Sequence, residues 1–310
     1  MTNANSIKTT LLFAATQLKA HGVDTESAKL EAQIFLQHTL NVNRAWLIAH
    51  QNDALQANGP GHSLSNSQSE FDSPCIYEVY RALINRRVNG EPIAYILGAR
   101  EFYGLNLKVT PATLIPRPDT ETLVDAALAK IPQDKNLRIL DLGTGTGAIA
   151  LAIAKHRPQA HVTAVDASQA ALDIAIENAQ NLNIPNVKFV LSDWFSALNQ
   201  DNNMQKFDVI VSNPPYIEQN DVHLAQGDLP WEPISALVAG QDGLSDIRKI
   251  VTQAPQHLNP HGWLMLEHGY NQAEVVADLL KQAGFSEIET LKDLGGNDRV
   301  MLGKISRLSF

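Results

Sequence analysis

RILDLGTGTGAIAL, residues 138–151, decides how the rest of the chain is read. RILDL is a short apolar run of the length and branching of a buried strand. Three glycines follow at every second position, Gly143, Gly145 and Gly147, and the apolar stretch Ala148–His156 then reads as a helix stopped at Pro158. Glycine lets the backbone turn sharply and come close to a ligand. The spacing is G-x-G-x-G, whereas the dinucleotide fingerprint is G-x-G-x-x-G, and no Gly-Lys-Ser/Thr follows to make a phosphate-cradling loop. Asp141 just ahead of the glycines would repel a pyrophosphate and suits a ligand carrying an ammonium and a sulfonium.

Working towards the C-terminus, strands and helices alternate. HVTAVD (161–166), KFVLSD (188–193), FDVIVS (207–212) and GWLMLEHG (262–269) read as strands. Gln169–Leu182, Leu244–His257 and Gln272–Ala283 read as helices. This alternation predicts a mainly parallel, doubly wound α/β sheet. IETLKD and RVMLGKI, joined by Gly295-Gly296-Asn297-Asp298, predict a closing antiparallel pair and bring the sheet to about seven strands.

Working towards the N-terminus, the pattern becomes helical. Ser6–Ala20 opens on a candidate N-cap, Ser6, with Leu11, Leu12, Ala15 and Leu18 at helical spacing. Glu26–Leu40 carries Leu30, Ile34 and Leu40 in the same way, and Arg44–His50 and Ile76–Val88 complete a small bundle. The polar stretch 56–74 reads as a mobile loop. PIAYILG (92–98) and LNLKVT (105–110) read as the strands of a hairpin, after which Pro116-Arg117-Pro118-Asp119-Thr120 punctuates the chain before a helix at Thr120–Lys130. The expected organisation is a helical substrate-recognition domain at 1–88, a β-hairpin linker at 89–112 and a catalytic domain at 113–310.

Composition excludes several classes. Net charge is −9, all of it carried by residues 91–310 with seventeen basic and twenty-six acidic side chains. A duplex-binding enzyme needs a basic footprint to neutralise phosphates, and none is visible. The single cysteine, Cys75, rules out a disulfide framework. The ten histidines do not cluster at ligand spacing; His257 and His261 flank a Pro-containing turn and read as solvated, so no metal is expected. MTNANSIKTT lacks the apolar core of a signal peptide and no run of about 18 apolar residues occurs, so a cytoplasmic, membrane-free protein is expected.

Three further segments fall at strand ends, where doubly wound sheets bind ligands. Asp166 ends its strand with a carboxylate that can accept from two ribose hydroxyls; a helix cap is the plainer reading. Ser192-Asp193-Trp194 offers an acid and an aromatic that can bond and stack on an adenine; a core tryptophan is the alternative. Asn213-Pro214-Pro215-Tyr216 is a turn with two residues lacking N–H donors, so the groups it offers are acceptors. The Asn213 side-chain oxygen and the Pro214 carbonyl can hold both hydrogens of one NH2 group. Gripping them fixes the plane of a weakly nucleophilic nitrogen and leaves one face open, which is catalysis by orientation and electrostatics. Tyr216 can pack on the flat group.

Together these segments resemble the HemK/PrmC family, the N5-glutamine methyltransferases of peptide chain release factors. The resemblance is carried by GEPIAYILGAREFYG (90–104), TLIPRPDTETLV (113–124), ILDLGTGTGAIAL (139–151), SDWFSAL (192–198), VSNPPYI (211–217) and EPISALVAGQDGL (232–244). NPPY alone is shared with adenine-N6 DNA methyltransferases; its combination with the PRPDTE segment is specific. The resemblance implies a Rossmann-like seven-stranded methyltransferase fold. It implies that Gly143, Thr144, Gly145, Thr146, Gly147, Asp166, Trp194 and Asn213 bind S-adenosylmethionine. It implies that Asn213, Pro214, Pro215 and Tyr216 bind the glutamine of a Gly-Gly-Gln loop, with Asn213, Pro214 and Tyr216 catalytic and a release factor as partner. A ribosomal-protein glutamine methyltransferase shares this chemistry. An adenine methyltransferase of nucleic acid would need a basic groove and a means of flipping the base.

Overall fold

The computed structural model describes residues 6–55, 75–200 and 203–306; the polar stretch 56–74 lies outside them. The chain divides into two compact units, Met1–Leu97 and Gly98–Phe310. Among the described residues no helix is long and apolar enough to cross a membrane.

The first unit is helical: α1 (Ile7–Ala20), α2 (Thr25–Leu40), α3 (Arg44–Ala49), α4 (Ile76–Val88) and α5 (Ile93–Leu97). Ser6, Asp24 and Asn43 cap the first three, each side-chain oxygen accepting from a backbone N–H of the first turn. The apolar faces match the expected stripes in part: Leu18 and Leu40 are buried as expected, but other positions differ. Leu12 is 68% and Leu30 50% exposed, while Ala14 and Leu18 of α1 and Ala28, Ala32, Phe35 and Leu36 of α2 are buried. Small side chains let two helices approach, so Ala14, Ala28 and Ala32 share the buried face with Leu18, Phe35 and Leu36, while Leu12 and Leu30 are turned out.

The stretch PIAYILG, expected as a strand, is the short helix α5. A brief apolar run does not separate strand from buried helix by periodicity. Two features other than apolar periodicity decide it. Pro92 lies at the helix start, where its missing N–H costs nothing. Arg86 reaches back from α4 to donate to the Tyr95 and Ile96 carbonyls at 3.3 and 3.4 Å, groups a helix end leaves unpaired.

The second unit opens with a hairpin, β1 (Ala99–Phe102) and β2 (Leu105–Lys108), turned by Tyr103 and Gly104, both at positive φ. There follow α6 (Glu121–Lys130), β3 (Arg138–Leu142), α7 (Ala148–His156), β4 (His161–Asp166), α8 (Gln169–Asn181) and β5 (Val187–Leu191). A two-residue pair, β6 (Asn199–Gln200) and β7 (Asn203–Met204), was not foreseen. The chain continues as β8 (Phe207–Ser212), α9 (Ser245–His257), β9 (Leu258–Glu267), α10 (Ala273–Gln282), β10 (Phe285–Lys292) and β11 (Asp298–Ile305).

The main sheet has seven strands in the order β10-β11-β9-β8-β3-β4-β5. β5, β4, β3, β8 and β9 run parallel, and β11 is antiparallel to both its neighbours. Successive residues of a strand face opposite ways, so Ile139 enters a core with Val209, Ala164 and α7, while Leu140 and Leu142 enter another with Ile210, Leu264, α9 and α10. Burial on both faces explains why the central strands read as continuous apolar runs. His257, expected to be solvated, is buried: its ring stacks on Phe195 at 4.5 Å and its Nδ1 meets the Gln205 carbonyl at 3.1 Å. Burial lowers its pKa, which keeps the ring neutral.

Candidate active site

β3 has β4 on one side and β8 on the other, so the strand order reverses there and a crevice opens at the carboxyl ends. Register fixes what meets in it. Leu142 pairs with Val165 and with Ser212. The next residues along the three strands, Gly143, Asp166 and Asn213, therefore emerge side by side.

The glycine loop is held by neighbours of the same rim. Gly143 and Thr144 N–H groups both donate to the Val165 carbonyl at 2.9 Å, and Gly145 N–H donates to Asp166 Oδ2 at 2.9 Å. Gly143, Gly145 and Gly147 all have positive φ, which side-chain-bearing residues rarely adopt. At Gly147 a Cβ would also press on Leu151 and Ala175, so this glycine lets the loop settle on α7 and α8. Asn178 of α8 ties the loop from behind, donating to the Thr146 and Lys108 carbonyls at 3.0 Å each.

Asp141 departs from its expected part. It is fully buried and accepts from the Thr144 hydroxyl at 2.6 Å, so it braces the loop and does not face a cationic ligand. Burial pushes its pKa up to about 7, against the pull of that hydrogen bond.

Asp166 does face the crevice. Its two oxygens accept from Gly145 and Ser168 N–H groups, both at 2.9 Å, and an ionised carboxylate has about four acceptor sites, so two stay open. The cap of α8 is supplied instead by Ser168, whose side chain accepts from Ala171 N–H. Trp194 stands in a left-handed conformation, φ 48°, with its ring about 3.5 Å from where a Cβ on Gly143 would lie. The Ser192 hydroxyl holds it there by donating to the Trp194 carbonyl at 2.8 Å. Gly143, Gly145, Asp166, Asp193, Trp194 and Asn213 line one cavity of about 550 Å³, within the usual range for a cofactor.

The Asn213–Tyr216 turn borders that cavity and a second of about 60 Å³ lined by Pro214, Tyr216, Ile217, Leu114 and Arg117; Asn213 belongs to both. Unlike the loop, the turn is held by residues far away in sequence. The Asn213 amide nitrogen donates to Thr120 Oγ1 at 3.1 Å. The Tyr216 hydroxyl donates to Glu267 Oε1 at 3.1 Å, and Gln272 Nε2 donates to the Tyr216 carbonyl at 3.0 Å. A Cβ on Gly243 would collide with that same carbonyl. Arg117 pairs with the buried Glu232 at 2.5 Å, and Glu232 also accepts from Ile115 N–H, which clamps the 116–120 segment beside the turn.

Known proteins share the sequence and the fold. A methyltransferase domain model matches residues 133–296 and a PrmC N-terminal domain model matches residues 9–59. The release factor glutamine methyltransferase of Salmonella typhimurium is 46% identical over 91% of this chain and 94% of its own length. Its Escherichia coli K12 counterpart is 45% identical over 94% and 96%. The chain belongs to the release factor glutamine methyltransferase family. Its fold is also that of a methyltransferase from Pyrococcus furiosus, at a TM-score of 0.50 and 20% identity over 72% of this chain and 97% of that one.

Several residues of this family member escaped the reading of the sequence. Thr120, Gly243, Glu267, Gln272 and Asn178 all act on the loop or the turn. Thr120 and Gly243 lie in segments that carry the resemblance, but nothing in their spacing says what they touch. Glu267 had one available signal, a carboxylate at the end of a strand otherwise apolar from Trp263 to Leu266.

Proposed function

We propose that the chain transfers the methyl group of S-adenosylmethionine to the side-chain amide nitrogen (N5) of the glutamine in the Gly-Gly-Gln motif of class 1 peptide chain release factors. The observation that carries this reading is the Asn213 position: one side chain lies on both the large cavity behind the glycine loop and the small one against Pro214 and Tyr216. A residue so placed can address donor and acceptor of one reaction.

The large cavity suits S-adenosylmethionine. The glycine backbone admits close approach, Asp166 keeps acceptor sites for ribose hydroxyls, and the Trp194 ring offers an apolar face for adenine. Bound there, the cofactor supplies an electrophilic methyl on a sulfonium. Asn213 Oδ1 and the Pro214 carbonyl accept the two hydrogens of the glutamine amide. Its plane is thereby fixed and its nitrogen faces the larger cavity. Tyr216 keeps its proton, because burial and the nearby Glu267 push its pKa up, so its hydroxyl serves as a donor to Glu267. The residues contribute orientation and acceptor dipoles aimed at the positive charge that would develop on the nitrogen; the methylated nitrogen is then acidic enough to shed one of its two held protons to solvent, so no strong base is required.

Residues 1–88, which carry no catalytic motif, are the part we assign to recognition of the folded release factor. Contacts remote from the chemistry are what orients a protein-borne loop. The test incubates the full chain with isotopically labelled cofactor and candidate acceptors and locates the methyl group by mass spectrometry. Label on the glutamine of Gly-Gly-Gln is the expected result. Label on a ribosomal protein or an adenine base instead overturns the substrate assignment.

A further inference from the structure

Besides Asn213, Leu114 and Ala236 line both the large and the small cavity. The three come from separate segments, and none of them lies in a strand or an α-helix. Outside regular structure each backbone group finds its partner individually, so the bonds between such segments fix where they stand.

Those bonds run in a ring. The Asn213 amide nitrogen donates to Thr120, at the end of the segment that carries Leu114. Past the turn, Ile217 N–H donates to the Leu237 carbonyl at 2.9 Å and Ala239 N–H to the Ile217 carbonyl at 3.0 Å, which ladders the chain after Tyr216 onto the residues next to Ala236. Glu232 closes the third side. It stands just ahead of the 3-10 turn Ile234–Ala236, and its side chain is fully buried. One carboxylate oxygen accepts from Ile115 N–H at 2.9 Å, next to Leu114, and the other pairs with Arg117 at 2.5 Å. Taking a partner from a buried carboxylate leaves its charge uncompensated, so this side of the ring opens only at a cost.

We infer that Leu114, Asn213 and Ala236 frame the passage between donor and acceptor, and that Glu232 is a positioning residue that holds the Leu114 and Ala236 sides together, so that bulk at position 236 governs what crosses; this rests on the methyl-transfer reading above. Ala236 and Leu114 are both half-buried, so a larger side chain at 236 has space to fold but fills the passage. S-adenosylmethionine and S-adenosylhomocysteine differ by one methyl group and the charge it confers. It is that methyl which has to enter the passage, and an apolar substitution at 236 changes the space around it without changing charge.

The test uses the full chain with Ala236→Val, Glu232→Gln and the double variant. Calorimetric titration with each of the two compounds needs no turnover, and methyl transfer to a release factor is followed alongside. Ala236→Val should lower the ratio of S-adenosylmethionine to S-adenosylhomocysteine affinity about fivefold or more, since overpacking acts on the methyl alone. Glu232→Gln keeps an acceptor for Ile115 N–H but loses the charge pair with Arg117; it should lower turnover about tenfold or more through misplacement and leave the affinity ratio within about twofold. In the double variant the loosened frame yields to valine, so the loss in the ratio should shrink to about twofold or less. A purely stabilising Glu232 would leave that loss at full size. A ratio for Ala236→Val within about twofold of the parent overturns the inference, as does a full-sized loss in the double variant. Should Ala236→Val fail to fold, Ala236→Cys with the exposed Cys75 replaced by serine, methylthiolated after folding, places bulk at the same point and is judged by the same ratio. A parent that binds neither compound sinks the methyl-transfer reading and the inference with it. A parent that binds both but methylates no glutamine sinks the acceptor assignment alone, and the ratio still decides the passage.

Discussion

The glycine loop and the Asn213–Tyr216 turn stand next to each other at the ends of β3 and β8, yet they are held in different ways. The loop is fixed by its own rim: the Val165 carbonyl, the Asp166 carboxylate, and Asp141 three residues before Thr144. The turn is fixed from a distance, by Thr120 from 93 residues upstream and by Glu267 and Gln272 from 51 and 56 residues downstream of Tyr216. The cofactor loop thus draws its supports from within about 32 residues, the farthest being Asn178 of α8 on Thr146. The acceptor turn is completed only when the 116–120 segment and the end of β9 have come to it.

This contrast makes the two halves separable by experiment. Asn213→Ala removes one of the two acceptors for the amide and should cut turnover about 100-fold or more, while cofactor affinity stays within about threefold. Calorimetric titration and methyl transfer on the same preparation check it, and near-normal turnover would mean the amide is not held as described. Asp166→Ala should act on the other half. Losing charge-assisted acceptors costs roughly 1.5–3 kcal/mol per bond, about 10- to 150-fold in cofactor affinity, with turnover at saturating cofactor largely kept. Unchanged affinity in that titration would remove the ribose role.

A smaller effect is expected in the helical unit. Leu12 and Phe13 are 68% and 53% exposed on α1, and exposed apolar residues of this size are where a protein partner gains contact area. Replacing both with serine should lower kcat/KM for a whole release factor about fivefold, roughly 1 kcal/mol, and leave a short Gly-Gly-Gln peptide unaffected. Equal losses on both substrates would argue that this face has no part in recognition.

The same contrast explains what could be read in the sequence. The glycine loop, the alternation of strands and helices, and the Pro-Pro turn are local patterns, and their elements fall where the spacing placed them. The α5 segment differs from its expected strand because Pro92 at its start and Arg86, which lies on α4, decide its conformation. On α1 Leu18 is buried as the spacing placed it, but Leu12 faces outward because Ala14 takes part of the buried face, and a small side chain leaves little periodic signature. Asp141 carried a local signal that pointed the wrong way: an acid before a glycine loop suggests a ligand, and only the fold shows it turned inward to Thr144. Glu267 carries only the weak signal of a carboxylate ending an apolar strand, and Thr120, Gly243 and Gln272 carry none, since what they touch is the distant Asn213–Tyr216 turn.

The central claim, that cofactor and acceptor are handled by two separately held halves meeting at Asn213, is tested most directly by combining Asp166→Ala with Asn213→Ala. Cofactor affinity and single-turnover methyl transfer at saturating cofactor are measured for the parent, both single variants and the double. The account expects the double variant to show the affinity of Asp166→Ala and the rate of Asn213→Ala, within about twofold in each. A double variant whose affinity or rate departs from those values by tenfold would mean that the loop and the turn act as one coupled unit, and would contradict it.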